Sequence, residues 1–231
     1  MITDPETNFV YLSSLLKSKY TDECEQLTSI LKRNNIEYGF LKDTKGIWCR
    51  DYMPIQIDKD KYVQFKYDPD YLKWTEEDKK TRSDTEKVCK NNNIKPIPSE
   101  LVIDGGNVIK SKTKAILTNK IFCENENYDH NKLIDKLSKR LEVEIVIIPR
   151  YKGDWIGHSD GYVRFLDEKT VLSNDLSKEN KEFQKNFKEA LKSHNLDLIE
   201  IPYGYDYKKA DDKTAIGYYI NYLHVKNLII L

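Results

Sequence analysis

Two periods of apolar residues alternate along this chain. Runs with every second position apolar predict strands, and runs with an apolar residue every third or fourth position predict helices. From Met53 to Tyr67, β-forming residues flank a polar Asp58-Lys59-Asp60 triplet, the pattern of a hairpin. A polar stretch from Asp70 to Asn93 is expected to be helical, and Leu101-Val102-Ile103 predicts the next strand. The order then recurs. Asn107-Val108-Ile109 and Ala115-Ile116-Leu117 flank a Ser111-Lys112-Thr113 turn. Leu133, Ile134, Leu137 and Leu141 share one face of a helix from Asp129 to Leu141, and Glu144 to Pro149 is an apolar strand. Tyr162 to Leu172 reads as a third hairpin, turning at Asp167-Glu168-Lys169. Phe183, Phe187, Ala190 and Leu191 mark its helix, and Leu196 to Ile201 its closing strand.

The unit is strand, turn, strand, helix, strand. Gly105, Gly161 and Gly217 recur at an equal interval of 56 (161 − 105 and 217 − 161), the sign of an internally repeated architecture. The alternative is that this interval arises by accident in a β/α protein. A partial unit precedes the first full one: strand Phe9 to Leu12, helix Thr21 to Asn34, strand Glu37 to Phe40. The last unit opens at Gly217 with the hairpin YYINYLHVKNLIIL. Residues 217–231 supply 15 of its positions, so about 40 residues of a full period are expected to be missing. The expected fold class is α/β: one domain over residues 1–231, built of repeated units with the last one incomplete.

Charge narrows the partners. Lys+Arg and Asp+Glu each number 38, a formal net charge of zero, and the charges are interspersed. A general nucleic-acid binder would show a basic excess. No apolar run reaches the length of a membrane helix, because His224, Lys226 and Asn227 interrupt the most apolar stretch, which reads better as a buried hairpin. The N-terminus has no basic start and no apolar core of a signal peptide. Cys24, Cys49, Cys89 and Cys123 are widely spaced without a CxxC pair, which argues against a zinc site. Scattered thiols without an export signal lead us to expect a cytoplasmic location.

Three polar clusters stand where units begin. They are Trp48-Cys49-Arg50-Asp51, Asp104-Gly105-Gly106-Asn107 and Gly157-His158-Ser159-Asp160-Gly161. In a radial arrangement of units these starts would converge on one axis. Asp51 can accept two parallel bonds from a guanidinium, or pair with Arg50 or another surface cation. Trp48 either walls the guanidinium plane or fills core. Two glycines after Asp104 allow a sharp turn or a close backbone approach, and Asp104 either faces a ligand or caps the turn. His158 and Asp160, two apart, would share a face of an extended segment, where a carboxylate favours the protonated imidazole. The bland alternative is a His/Asp pair that stabilises a turn. Asp160 could instead hold a guanidinium nitrogen, and Arg164, two beyond Tyr162, could orient one of the acids.

WCRDYMP, DGGN and GHSDGYVRF in this order resemble the agmatine deiminase and bacterial peptidylarginine deiminase family. That family belongs to the guanidine-modifying penteins, whose fold is a five-bladed α/β propeller. The resemblance covers about Phe9 to Leu231 and implies hydrolysis of agmatine or an arginine side chain to a ureido product and ammonia. It implies that Asp51 grips the guanidinium and that Asp104, where many relatives carry Glu, and Asn107 line the substrate side beside Trp48. His158 would be general acid and base, Asp160 would bind guanidinium nitrogens, and Arg164 would support them. No metal or organic cofactor is implied, and the expected partner is a small guanidinium compound or peptidyl-arginine. The family's nucleophile is a cysteine near its C-terminus, after a glycine-rich turn, and no cysteine follows Cys123 here. Cys49 would point away from Asp51 in an extended segment, and Cys123 follows a hairpin strand. Residues 1–231 are therefore expected to be inactive alone. The competing readings are a non-catalytic guanidine-binding or structural relic, and an amidinotransferase.

Overall fold

A computed structural model of the chain describes residues 1–202 and 219–231. Gly217 and Tyr218, which open the last expected unit, lie outside the described residues. The chain divides into two compact units: Ile2–Gly105 with His224–Ile229, and Gly106–Leu223 with Met1 and Ile230–Leu231.

The first unit opens with β1 (Phe9–Ser13), α1 (Leu16–Lys19), α2 (Thr21–Arg33) and β2 (Glu37–Leu41). β1 and β2 pair in parallel, Val10 opposite Tyr38. Asp22 and Glu23 in the first turn of α2, and Lys32 and Arg33 in the last, complement the helix dipole. The helix ends where Asn35 takes a left-handed φ of 54°, which asparagine tolerates. A short α3 (Cys49–Tyr52) then leads into β3 (Ile55–Asp58) and β4 (Lys61–Lys66), the expected hairpin.

The stretch expected to be one helical segment is broken into a 3₁₀ turn (Asp70–Lys73), α4 (Glu76–Thr81) and α5 (Thr85–Asn91). Thr75 caps α4 through Asp78 N at 3.0 Å, and Asp84 caps α5 through Lys87 N at 3.0 Å. The break between them has a tertiary cause. The hydroxyl of buried Ser83 accepts from Lys45 N at 3.0 Å and Gly46 N at 3.2 Å, which holds the chain out of a helix there. β5 (Ile97–Val102) runs parallel to β4 and begins four residues before the apolar triplet that announced it. It is an edge strand of the β3-β4-β5 sheet, so Pro98 is accommodated.

The second unit repeats the plan twice. β6 (Ile109–Lys110) pairs antiparallel with β7 (Lys114–Thr118). α6 (Lys120–Glu124) and α7 (His130–Leu141) follow, and β8 (Glu144–Ile148) returns parallel to β7. Then come β9 (Val163–Phe165), antiparallel to β10 (Thr170–Asn174), α8 (Lys181–Ser193), and β11 (Asp197–Ile201), parallel to β10. Asp129 and Asn180, each just before its helix, cap α7 and α8. Leu133, Leu137 and Leu141 are fully buried along α7, as are Phe187 and nearly so Phe183 and Leu191 along α8. Tyr162, Tyr151, Phe183 and Phe187 form a row with ring centroids 4.1, 4.8 and 5.6 Å apart. This row joins Val146, Ile148, Val163 and Val171 in the core.

The repeat also shows in its turns. Glu168, in the β9–β10 turn, accepts from Ser111 Oγ (3.0 Å), Lys112 N (2.8 Å), Thr113 N (3.2 Å) and Thr113 Oγ1 (2.7 Å) of the β6–β7 turn. The described part of the last expected hairpin is present as β12 (Leu223–Val225) and β13 (Leu228–Ile230), turning at Lys226 with φ 50°. The three hairpin-helix-strand sheets thus share one connectivity in an α/β fold. Among the described residues no helix is long and apolar enough to cross a membrane.

Phe187 is 0% exposed and touches both the aromatic row and the sheet residues. Phe187→Ala is expected to destabilise the protein by about 3–5 kcal/mol, read as a fall in the urea midpoint.

Candidate active site

In the first unit, α3 carries the Trp-Cys-Arg-Asp cluster. Its single turn brings Cys49 and Tyr52 together, Sγ to hydroxyl 3.3 Å, and Tyr52 donates to the Gly46 carbonyl at 3.0 Å. Tyr52 is buried, whereas Trp48 is 69% exposed, so Trp48 does not fill core. The segment is helical rather than extended, so the two-residue alternation does not govern Cys49 and Asp51.

The DGGN cluster meets this turn through its backbone. A Cβ at Gly105 would lie 1.9 Å from the Arg50 carbonyl oxygen and 3.6 Å from the Asp51 Cα. Only glycine fits, and the reason is room. The contact sets Asp104, 1% exposed, beside half-buried Asp51. Two phenols, Tyr67 and Tyr71, share their neighbourhood and hydrogen-bond to each other. Burial, and then the negative charges of Asp51 and Asp104, push both phenols well above the ordinary tyrosine range. Tyr67 also packs edge-on against Tyr52 at 5.9 Å. The sequence reading missed both tyrosines. In a chain with 16 tyrosines the residue type alone carries no positional signal, and the spacing of KYDPDY in a loop follows no period.

In the second unit, one side chain fastens the histidine segment. Asn107 is buried, and its Oδ1 accepts from Thr118 N at 2.9 Å and from Ser159 N at 3.2 Å. Ser159 Oγ donates to the Ile116 carbonyl at 3.1 Å, and Thr118 Oγ1 to the Gly157 carbonyl at 2.6 Å. Gly157 stands at φ 63°, a left-handed conformation that suits glycine. Ser159–Gly161 is a 3₁₀ turn closed by Gly161 N to the His158 carbonyl at 3.2 Å. The expectation that His158 and Asp160 share a face of an extended segment is therefore corrected, since they flank a tight turn. His158 is half-buried and Asp160 is 6% exposed. Gly161 has open space where a Cβ would sit and no left-handed φ, so its place in the 56-residue interval answers to no steric need. Arg164 lies buried in β9 and donates to the Tyr222 carbonyl, its guanidinium 4.5 Å from the Tyr222 ring. These contacts tie it to the segment that enters β12.

The first unit therefore brings Asp51 and Asp104 together around one backbone contact, with exposed Trp48 at the start of the α3 turn. The second holds Asn107, His158, Asp160 and Arg164 around β7 and β9. None of the four thiols is paired in a disulfide. Burial pushes Cys49 up to about 11, an effect Tyr52 opposes and Asp51 reinforces. Burial alone pushes Cys89 up to about 11. Cys24 is buried, and Cys123 is exposed on helix α6 rather than on a strand end. Among the described residues no group of three or more His, Cys, Asp or Glu is placed to hold a metal ion.

The chain is an α/β protein of repeated hairpin-helix-strand sheets, with two carboxylates in one unit and a His/Asp turn in the other. The family model for Porphyromonas-type peptidyl-arginine deiminases matches residues 10–231, and the chain belongs to that family. No protein of curated function matches it in sequence. Among solved structures it is similar to C. jejuni agmatine deiminase, at 17% identity and a TM-score of 0.71 over 99% of this chain and 80% of that one. A cysteine-to-serine variant of the same enzyme with substrate bound matches equally well. The agmatine deiminase of Enterococcus faecalis matches at 14% identity and a TM-score of 0.64, over 96% of this chain and 80% of that one. The DDAH from Pseudomonas aeruginosa, as a cysteine-to-serine mutant complexed with citrulline, matches at 12% identity and a TM-score of 0.54, over 91% and 73%. At these identities the likeness establishes a shared fold.

Gly105→Ala is expected to cost about 2–3 kcal/mol, because the Arg50 backbone must shift, whereas Gly161→Ala stays within about 0.5 kcal/mol. Urea unfolding of the two variants side by side checks this. At pH 8 a disulfide reagent should label Cys123 first. Cys49 should label slowly, because its thiol is protonated until the pH approaches about 11. Mass mapping of the labelled peptides reads the order, and labelling of Cys49 as fast as Cys123 contradicts it.

Proposed function

We propose that this chain binds a guanidinium compound and belongs to the hydrolytic chemistry of its family, conversion of agmatine or an arginine side chain to a ureido product and ammonia. The observation that carries the reading is the backbone contact of Gly105 with Arg50, which sets Asp104 beside Asp51. Two carboxylates in a partly dry neighbourhood repel each other and gain from a shared cation. A guanidinium is the cation whose flat fork matches carboxylates with paired bonds. Tyr67 and Tyr71 remain neutral there and do not cancel the charge.

In this proposal Asp51 and Asp104 hold guanidinium nitrogens and Trp48 covers the plane; the family likeness, and not its placement here, gives Asp160 a nitrogen to bind. In the family's reaction a thiolate adds to the guanidinium carbon as ammonia leaves and water then displaces the thiolate; His158 would protonate the leaving nitrogen and later take a proton from that water. Asn107 and Arg164 act through the backbone they fix. The repeated connectivity of the sheets supports a propeller-type reading of the chain, and the free thiols support a cytoplasmic location.

The thiols favour a second reading, in which residues 1–231 bind guanidinium without hydrolysing it. Cys49 and Cys89, both near 11, are poor sources of thiolate at neutral pH. One experiment separates the readings. Agmatine and an N-acetylarginine amide are titrated calorimetrically into the protein, and ammonia is assayed in the same samples. Heat of binding with ammonia release supports hydrolysis, and binding without release supports the second reading. Absence of binding overturns both. Asp51→Asn should weaken binding by about tenfold or more, since it removes a charge-assisted pair.

A further inference from the structure

α6 contains a lysine that is 1% exposed, a rare state for this residue type. The Lys120 ammonium lies 2.9 Å from Glu124 Oε1, and the Glu124 side chain is only 4% exposed. A buried ion pair of this kind is weak support for stability, because desolvating two charges costs about as much as their attraction returns. Its position points to another role. The stem of Lys120 lies against Gly157: a Cβ there would be 3.3 Å from Lys120 Cδ, 3.5 Å from Lys120 Cβ and 3.1 Å from Arg150 Cδ. Gly157 immediately precedes His158.

Three consecutive residues, beginning with the last of β7, grip this loop. Thr118 Oγ1 donates to the Gly157 carbonyl at 2.6 Å, Asn119 Oδ1 accepts from Arg150 N at 3.2 Å, and Lys120 supplies the wall. A lysine stem has many rotamers, so it makes a rigid wall only when its far end is fixed. Glu124, one helical turn on, fixes it. We propose that Lys120 and Glu124 form a positioning pair: the ion pair locks the lysine stem, the stem locks Gly157, and Gly157 sets the backbone that presents His158. This inference rests on the reading of His158 as a functional residue.

Hydrogen exchange of the backbone amides tests it without any ligand. The variants are Glu124→Leu, Lys120→Arg, and the double Lys120→Met/Glu124→Leu, which removes both charges and leaves neither buried alone. In the double variant the Ser159 and Gly161 amides should exchange about tenfold faster or more, while the α8 amides and the thermal midpoint stay near wild type. Glu124→Leu should speed the same two amides, and Lys120→Arg should keep the wild-type rates. Agmatine affinity should fall together with the faster exchange. Wild-type exchange in the double variant overturns the proposal, because the pair would then be simple filling. Faster exchange throughout the second unit, or failure of the double variant to fold, also overturns it, because the pair would then support the whole unit and not the turn. If the wild-type protein binds no agmatine, the proposed function fails, and the exchange rates still decide the role of the pair.

Discussion

Position 105 has no room for a methyl group, and the arrangement of the acids depends on that fact. The Arg50 carbonyl oxygen occupies the space where a Cβ would begin. Two segments more than fifty residues apart can therefore meet by their backbones, with no side chain between them. Contact at this range brings Asp104 and Asp51, each beside it in its own segment, into one neighbourhood. Their mutual repulsion is a standing cost in the folded protein, and a steric fit of backbone to backbone is well suited to offset it. It cannot relax by rotating a side chain.

The parts of the fold that were legible in the sequence are those whose cause is local. α7 and α8 follow from apolar residues spaced at three and four, and β7 and β8 from the apolar runs Ala115-Ile116-Leu117 and Ile145 to Ile148. The 70–93 segment is helical as its sequence predicts, but its division is not legible there, because at Ser83 the hydroxyl is claimed by the amides of Lys45 and Gly46. No window of sequence around residue 83 contains those partners. β5 was seen only at its apolar end, since Pro98 argues against a strand unless the strand is known to lie at an edge. The clusters were legible as clusters, and their local geometry was not. His158 and Asp160 were read at strand spacing and occupy a turn, because Asn107 and Thr118 dictate that conformation from a distance.

The two units stabilise their polar residues by different means. In the second, backbone amides are recruited to one carboxamide: Asn107 Oδ1 accepts two of them and so couples β7 to the histidine turn. A carboxamide suits this task because it is neutral and can be buried at low cost once bonded. In the first, two phenols lie within the field of the carboxylates. Tyr67 and Tyr71 can donate hydrogen bonds without carrying charge, and the acids push their titration further from neutrality. A lysine in the same place would neutralise the acids permanently. Phenols preserve a negative neighbourhood.

That negative neighbourhood also bears on Cys49. Asp51 raises the thiol's proton affinity, so a bound cation that offset Asp51 would remove this contribution. Burial is the larger cause, and a cation at Asp51 leaves the thiol as dry as before. Tyr52, which bonds the sulfur, cannot compensate for both. The packing that makes α3 a firm base for Asp51, with Cys49 and Tyr52 turned inward, is thus the same packing that keeps Cys49 protonated. The same turn that fixes the backbone at residue 51 thus commits residue 49 to structure.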